Sequence, residues 1–241
     1  MATITEKNST RVKGYGIVIG LIYALSQHGF YLAGHYLAEW IGFPPFCPKI
    51  PWDDLFPIVS VFIVPYVWSY LYWAMAPMAV SKCEKEHFAD YMAANLVACV
   101  AGTLSLALFP TYMDRVAEGL FAVTENPTVF DKLREFWYSL DGSEMAYNLL
   151  PSFHCINSTL CYLGVAGRRE IPKWFRIYSL VTALLIFVST LYVKQHYILD
   201  VPTGVAIAAV AFLVCKKFHW GRMFNPLVRL FAKRKTANTG D

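Results

Sequence analysis

Apolar residues gather into six long runs separated by polar, proline-rich or charged connections: Gly14 to Leu37, Leu55 to Val80, Phe88 to Pro110, Leu149 to Gly167, Trp174 to Val193 and Val201 to Phe218. Each run is close to the roughly 20 residues that a helix needs to cross a bilayer. The pattern predicts an all-α polytopic membrane protein, a bundle of six transmembrane helices forming one membrane domain over residues 1–241. Its catalytic core is expected over residues 50–205, with tails at 1–13 and 219–241. The odd-numbered connections comprise a proline-rich stretch (Pro44, Pro45, Pro48, Pro51), a long segment from Thr111 to Asn148 and a short turn from Lys194 to Asp200, whereas the even-numbered connections are short.

Composition places the chain in the membrane class: 56% of residues are hydrophobic, 16% are charged and the mean hydropathy is +0.40. These values lie outside ordinary soluble usage. A net charge of +4 is too small to point to a nucleic-acid partner, and where the charge lies matters more than its size. Of 21 Lys and Arg, only Lys49, Arg115, Lys132, Arg134 and Lys194 fall on the odd connections, and the rest lie on the side of the termini. By the positive-inside rule both termini are cytoplasmic and the Thr111 to Asn148 segment faces outward. Residues Met1 to Lys13 carry no compact apolar region with a cleavage site, so the first run is expected to remain as an anchor, in a plasma (inner) membrane. The basic stretch Arg229 to Lys235 suits contact with anionic lipid. Trp40, Trp52, Trp73, Trp174 and Trp220 stand near run ends, where amphipathic rings favour the headgroup zone. The six cysteines are scattered singly, without disulfide or zinc-site spacing, and are expected in the core.

Ionisable groups at the ends of membrane helices are costly to bury and mark candidate sites. Three sets qualify: Arg115 after the third run, His154 opening the fourth in Pro151-Ser152-Phe153-His154, and Lys194, His196 and Asp200 between the fifth and sixth. The topology brings all three to the outer face. Two histidines, a carboxylate and two cations in one membrane-lined pocket suit phosphoryl transfer, in which the protein positions groups and neutralises charge on phosphate oxygens. One imidazole can attack phosphorus while the other protonates the leaving alkoxide. If a helix begins within Lys194 to Asp200, the i,i+4 spacing lets Asp200 hold the second ring nitrogen of His196 and fix its tautomer. Ser152, near a helix N-terminus, adds an anion cradle. With Ser189 and Asn148, the substrate-binding candidates are Lys194, Ser152, Arg115, Ser189 and Asn148.

These residues resemble the type 2 phosphatidic acid phosphatase superfamily, in particular its branch with inositol phosphorylceramide synthases and sphingomyelin synthases. The likeness rests on Pro151-Ser152-Phe153-His154 with Ser158, and on Ser189 through Lys194-Gln195-His196-Tyr197-Ile198-Leu199-Asp200 with Gly204 beyond. Looser echoes lie in Ile50-Pro51-Trp52-Asp53-Asp54 and Phe109-Pro110-Thr111. The resemblance implies that His196 is the nucleophile, forming a phosphohistidine, that Asp200 orients it, and that His154 protonates the leaving group and then activates water or an alcohol acceptor. It implies no metal and no cofactor. The substrate would be a lipid phosphate, hydrolysed at a phosphomonoester or diphosphate; transfer of a phospho-headgroup to an alcohol is the alternative. Two departures stand out. Thr190 occupies the place of the usual Arg after Ser189, a charge that Lys194 is expected to replace, and Arg115 precedes Val116 where the family has Arg-Pro.

Blander readings exist for each residue. A lone membrane histidine is usually a helix-packing donor, which is how His28 and His35 are read. Asp200 could cap the sixth helix, Lys194 could snorkel, Ser158 and Ser189 could be packing hydroxyls, and Asn148 could cap the fourth helix. A small-solute transporter is the reading from another class, but transporter sites lie near the midplane between repeated halves, whereas these candidates share one face.

Overall fold

The computed structural model describes residues 16–121, 126–140 and 144–224, so Met1 to Lys13 and Arg229 to Lys235 lie outside the described residues. Seven α-helices form among the described residues: α1 (Gly16–Ile41), α2 (Ile63–Val80), α3 (Lys85–Leu108), α4 (Val129–Leu140), α5 (Phe153–Val165), α6 (Lys173–Tyr192) and α7 (Asp200–Phe218). Six correspond to the apolar runs. The seventh, α4, is a short amphipathic helix inside the long Thr111 to Asn148 connection, where the sequence predicts no element. Two three-residue strands, β1 (Tyr112–Asp114) and β2 (Met145–Tyr147), pair antiparallel with Met113 opposite Ala146, so the fold is not purely α.

Element boundaries have local causes. The second run is not helical from Leu55: Leu55 closes a 3-10 turn, Val59 donates to Tyr192 O at 3.1 Å, and the helix begins at Ile63 with Pro65 in its first turn, where a missing N–H is harmless. The fourth run also starts late. Pro151 cannot donate, Asn148 has a positive φ of 62°, and Ser152 caps the helix by accepting from Cys155 N at 3.3 Å. What remains, α5, is 13 residues long and rises roughly 20 Å, short of the roughly 30 Å hydrocarbon core. Among the described residues three helices, α3, α6 and α7, combine the length and hydropathy of a membrane span.

The bundle carries polar and small groups inward and large aliphatic ones outward. On α6, Ser179, Thr182, Ser189 and Thr190 are buried while Ile177, Leu180, Val181, Leu184 and Leu185 are exposed. A lipid solvent favours this arrangement, because apolar side chains lose nothing there and hydroxyls find partners between helices. All six cysteines are free thiols, five of them buried. Trp73, expected in an interfacial belt, is instead buried, donating its indole N–H to Ser158 Oγ at 3.1 Å.

Helix α5 lies at the centre, packed against α2, α3, α6 and α7. Its closeness to α7 depends on Gly204: a Cβ there would sit 2.6 Å from Ser152 O and 3.0 Å from Cys155 Cβ. That gap lets Ser152 N donate to Asp200 O at 3.1 Å, joining the starts of the two helices.

Candidate active site

The odd-numbered connections knit into a cap over one end of the bundle. Phe46 N donates to Pro110 O and Phe46 O accepts from Tyr112 N, and the buried Thr111 hydroxyl accepts from Leu149 N and Leu150 N at 2.9 and 3.1 Å, fixing the approach to α5. Asp53 grips the turn between α6 and α7: its Oδ1 accepts from Ile198 N at 2.7 Å and its backbone O from Lys194 Nζ at 2.9 Å. The two weaker sequence echoes, around Thr111 and Asp53, therefore have a common physical role in holding the segments that carry the histidines. Helix α4 is tied down by Ser60, which donates to Asp131 and accepts from Arg134 Nη1 at 2.9 Å. Hydrogen bonds from Ser60 and Thr128 lower the Asp131 carboxyl to about 2.

Beneath this cap the expected trio comes together. The His196 ring contacts Asp200 through Nδ1, 3.1 Å from Oδ2, and the same oxygen accepts from Tyr197 N at 2.9 Å. Asp200 is wholly buried and begins α7, where a carboxylate is favoured by the helix end. With Nδ1 donating to the carboxylate, His196 Nε2 is the nitrogen left to act as a nucleophile. Across the gap stands His154, its ring centroid 6.0 Å from that of His196, at an interplanar angle of 62°. His154 sits among aromatic rings: Tyr66 stacks on it at 4.3 Å, with Trp73 at 5.0 Å and Tyr70 at 5.7 Å. Its Nε2 has no hydrogen-bond partner among the described residues.

Both rings face a cavity of about 500 Å³. Its deep walls are Tyr66, Tyr70 and Trp73 of α2 with Asn157 of α5, and Trp137 and Leu140 of α4 form part of its boundary. Asn148 and Gln195 also border it, and no Lys or Arg does so among the described residues. Helix α1 contributes a side wall through Ala24, Leu25, Gln27, His28 and Tyr31. His28, read as structural, thus lies on the cavity wall, while His35 pairs with Glu39 at 3.3 Å.

The remaining expected site residues divide. Asn148 lies at the cavity in a left-handed backbone conformation, which Asn tolerates better than most residues, and Ser152 rather than Asn148 caps α5. Lys194 also has positive φ, but its ammonium is turned to Asp53 O and away from the cavity lining. Burial lowers its pKa against the pull of Glu118 and Asp53. Ser189 returns its hydroxyl to Ile186 O at 2.7 Å, as a packing hydroxyl does. Arg115 is fully buried, its guanidinium lying 4.5 Å over the Tyr138 ring and donating to Gln195 Oε1 at 2.9 Å. Sequence reasoning missed the aromatic wall and Gln195. The wall had a signal: Tyr66, Tyr70 and Trp73 recur at i, i+4 and i+7 on one helix face. Gln195 had only its position beside His196. No group of three or more His, Cys, Asp or Glu residues suited to a metal ion occurs among the described residues.

The model of the PAP2 superfamily matches residues 57–214, a stretch that contains α2 through most of α7 and both histidines. No curated protein and no solved structure matches the chain. The chain belongs to the PAP2 superfamily, whose members are generally phosphatases or phosphotransferases, and it is a membrane protein.

Proposed function

Starting from that membership, we propose that the protein is an integral membrane lipid phosphate phosphatase working through a phosphohistidine on His196. The observation that carries the reading is the His196–Asp200 contact at 3.1 Å with His154 facing it at 6.0 Å across one cavity. His196 Nε2 attacks phosphorus, the ester P–O bond breaks, and the leaving oxygen takes the proton of protonated His154. Neutral His154 then removes a proton from water, whose oxygen displaces the P–N bond, releasing phosphate and returning both imidazoles to their starting states. Asp200 keeps the Nδ1 proton in place throughout, so the nucleophile presents one tautomer. The proposed setting is a six-span bundle in a plasma membrane, both termini cytoplasmic and the cavity at the outer leaflet, where a lipid's phosphate and its chains find polar and apolar surroundings together. No metal is required by these steps.

A second reading is a phosphotransferase of the inositol phosphorylceramide synthase type, in which an alcohol replaces water. The Lys194-Gln195-His196 run and the aromatic walls of the cavity favour it, because walls of this kind restrict bulk water at the phosphohistidine stage. The deciding experiment incubates purified protein in detergent with a panel of lipid phosphates, with and without alcohol acceptors and with a chelator, and follows free phosphate and new lipid products. Phosphate release that survives the chelator supports the phosphatase. A headgroup-exchanged lipid formed without free phosphate replaces it with the transferase, and a wild type inert on every substrate refutes both.

A further inference from the structure

The cavity poses an electrostatic problem. A phosphoryl group gathers charge on its oxygens as it transfers, yet no Lys or Arg borders the space beside His196 and His154 among the described residues. One cation acts at one remove. Arg115 is wholly buried and held on several sides: its backbone N donates to Glu144 O at 2.9 Å, its Nη1 to Tyr138 O at 3.4 Å, and the Tyr138 ring lies against its guanidinium face. Its Nη2 meets Gln195 Oε1 at 2.9 Å.

That contact determines which way the Gln195 amide points. A guanidinium only donates, so the oxygen must face Arg115 and the NH₂ group must face elsewhere. Gln195 is itself 4% exposed, borders the cavity next to His196, and its Nε2 has no hydrogen-bond partner among the described residues. A buried amide NH₂ without an acceptor is unfavourable unless something fills the site, so the vacancy calls for a ligand rich in acceptors.

We propose that Gln195 is a phosphate-binding donor of this site, its two N–H bonds oriented and polarised by Arg115, which serves as a positioning residue acting through Gln195. The proposal rests on the phosphoryl-transfer reading. A cation behind an amide strengthens the amide's N–H donors, since hydrogen bonds in a chain polarise one another in a low dielectric. The amide can then follow a phosphoryl group from ester to phosphohistidine while the guanidinium stays fixed in the cap.

The test uses orthovanadate, a phosphate analogue able to take five oxygens, binding to full-length protein in detergent, read by calorimetry. Gln195→Met removes the donor at similar volume, and Gln195→Glu keeps an oxygen for Arg115 while removing the N–H bonds. Both are expected to bind vanadate about tenfold or more weakly than wild type, with unchanged thermal unfolding. Arg115→Met should weaken binding alone but add less than about twofold on the Gln195→Met background, because the two act in series. Should Arg115→Met fail to fold, Arg115→Lys serves in the same cycle. Vanadate affinity within about twofold of wild type in either Gln195 variant, effects of Arg115 and Gln195 that multiply, or a wild type that binds no vanadate would each overturn the proposal. Gln195-dependent vanadate binding by a protein that turns over no lipid phosphate would leave this assignment standing and sink the catalytic reading. His196-dependent turnover with vanadate binding indifferent to Gln195 would do the reverse.

Discussion

The two ends of the bundle each carry a histidine against an aspartate, and the contrast between them separates an enclosed candidate site from a structural clasp. At one end His196 lies 3.1 Å from Asp200, with side-chain exposures of 9% and 0%. At the opposite end His219 lies 3.3 Å from Asp90, but its side chain is 43% exposed, and the same Nδ1 also stands 3.2 Å from Glu86. Asp90 there accepts from Gly221 N at 2.9 Å, fastening the turn that follows α7 onto α3. His87, at the same end of α3 as Asp90, spends its Nε2 on Gly164 O at 2.8 Å. The His196–Asp200 pair has its second ring nitrogen toward a cavity, another imidazole opposite and aromatic walls. A histidine–carboxylate contact is therefore ordinary; enclosure and a facing imidazole are what set this one apart.

Five substitutions and one change of pH probe that contrast, and the largest expected effect belongs to His196, the proposed nucleophile. His196→Asn is expected to lower turnover of a lipid phosphate by about 10⁴ or more and to abolish the acid-labile phosphoprotein trapped by quenching. Retained phosphoprotein would assign the intermediate to another residue. His154→Gln should cost about 10² to 10⁴ in turnover of an alkyl phosphate but less with a p-nitrophenyl leaving group, which needs no protonation. An equal loss on both substrates would remove His154 from the acid role. Gly204→Ala pushes Ser152 O away from α7 and with it the start of α5; about 10² in rate is expected from the displaced His154, with a lowered thermal midpoint. A fully active variant would mean that the two helix starts can separate without moving the imidazoles.

The cap yields a smaller effect. Because hydrogen bonds hold the Asp131 carboxyl at about 2, its contribution to docking α4 is present above the ordinary carboxylate pKa near 4 and is lost as pH falls through about 2. Trp137 fluorescence should change across that window, and Asp131→Asn should remove the change. The smallest effect lies at the opposite end, at His219. His219→Asn keeps a residue tolerant of the left-handed φ of 52° and is expected to leave turnover within about twofold and stability within about 1 kcal/mol, the range of exposed ion pairs. A tenfold loss of turnover there would erase the distinction between the two ends.

Much of the site was legible because its chemistry is local in sequence. His196 and Asp200 are four residues apart, and His154 opens a helix directly after a Ser cap, so spacing alone points to a tautomer-holding pair and a second imidazole. Lys194 and Ser189 looked equally suitable, yet one turns its ammonium to Asp53 O and the other its hydroxyl to Ile186 O. Side-chain direction depends on what packs nearby, and residue type does not carry that information. Helix α4 escaped notice for a related reason: its apolar positions, among them Trp137 and Leu140, alternate with charges in a segment short enough to read as a loop, and its order comes from contacts with Ser60 and α2.

By itself, the amino-acid sequence determined the membrane class, the six apolar segments and the candidate trio His154, His196 and Asp200, because hydropathy and short-range spacing are properties of neighbours along the chain. The tertiary structure decided that Gly204 brings α5 against α7, that Tyr66, Tyr70 and Trp73 wall His154, and that Arg115 donates to Gln195. Those contacts join residues as many as 88 positions apart, as Tyr66 and His154 are, and they arise when packing excludes solvent, which no periodicity in the chain encodes.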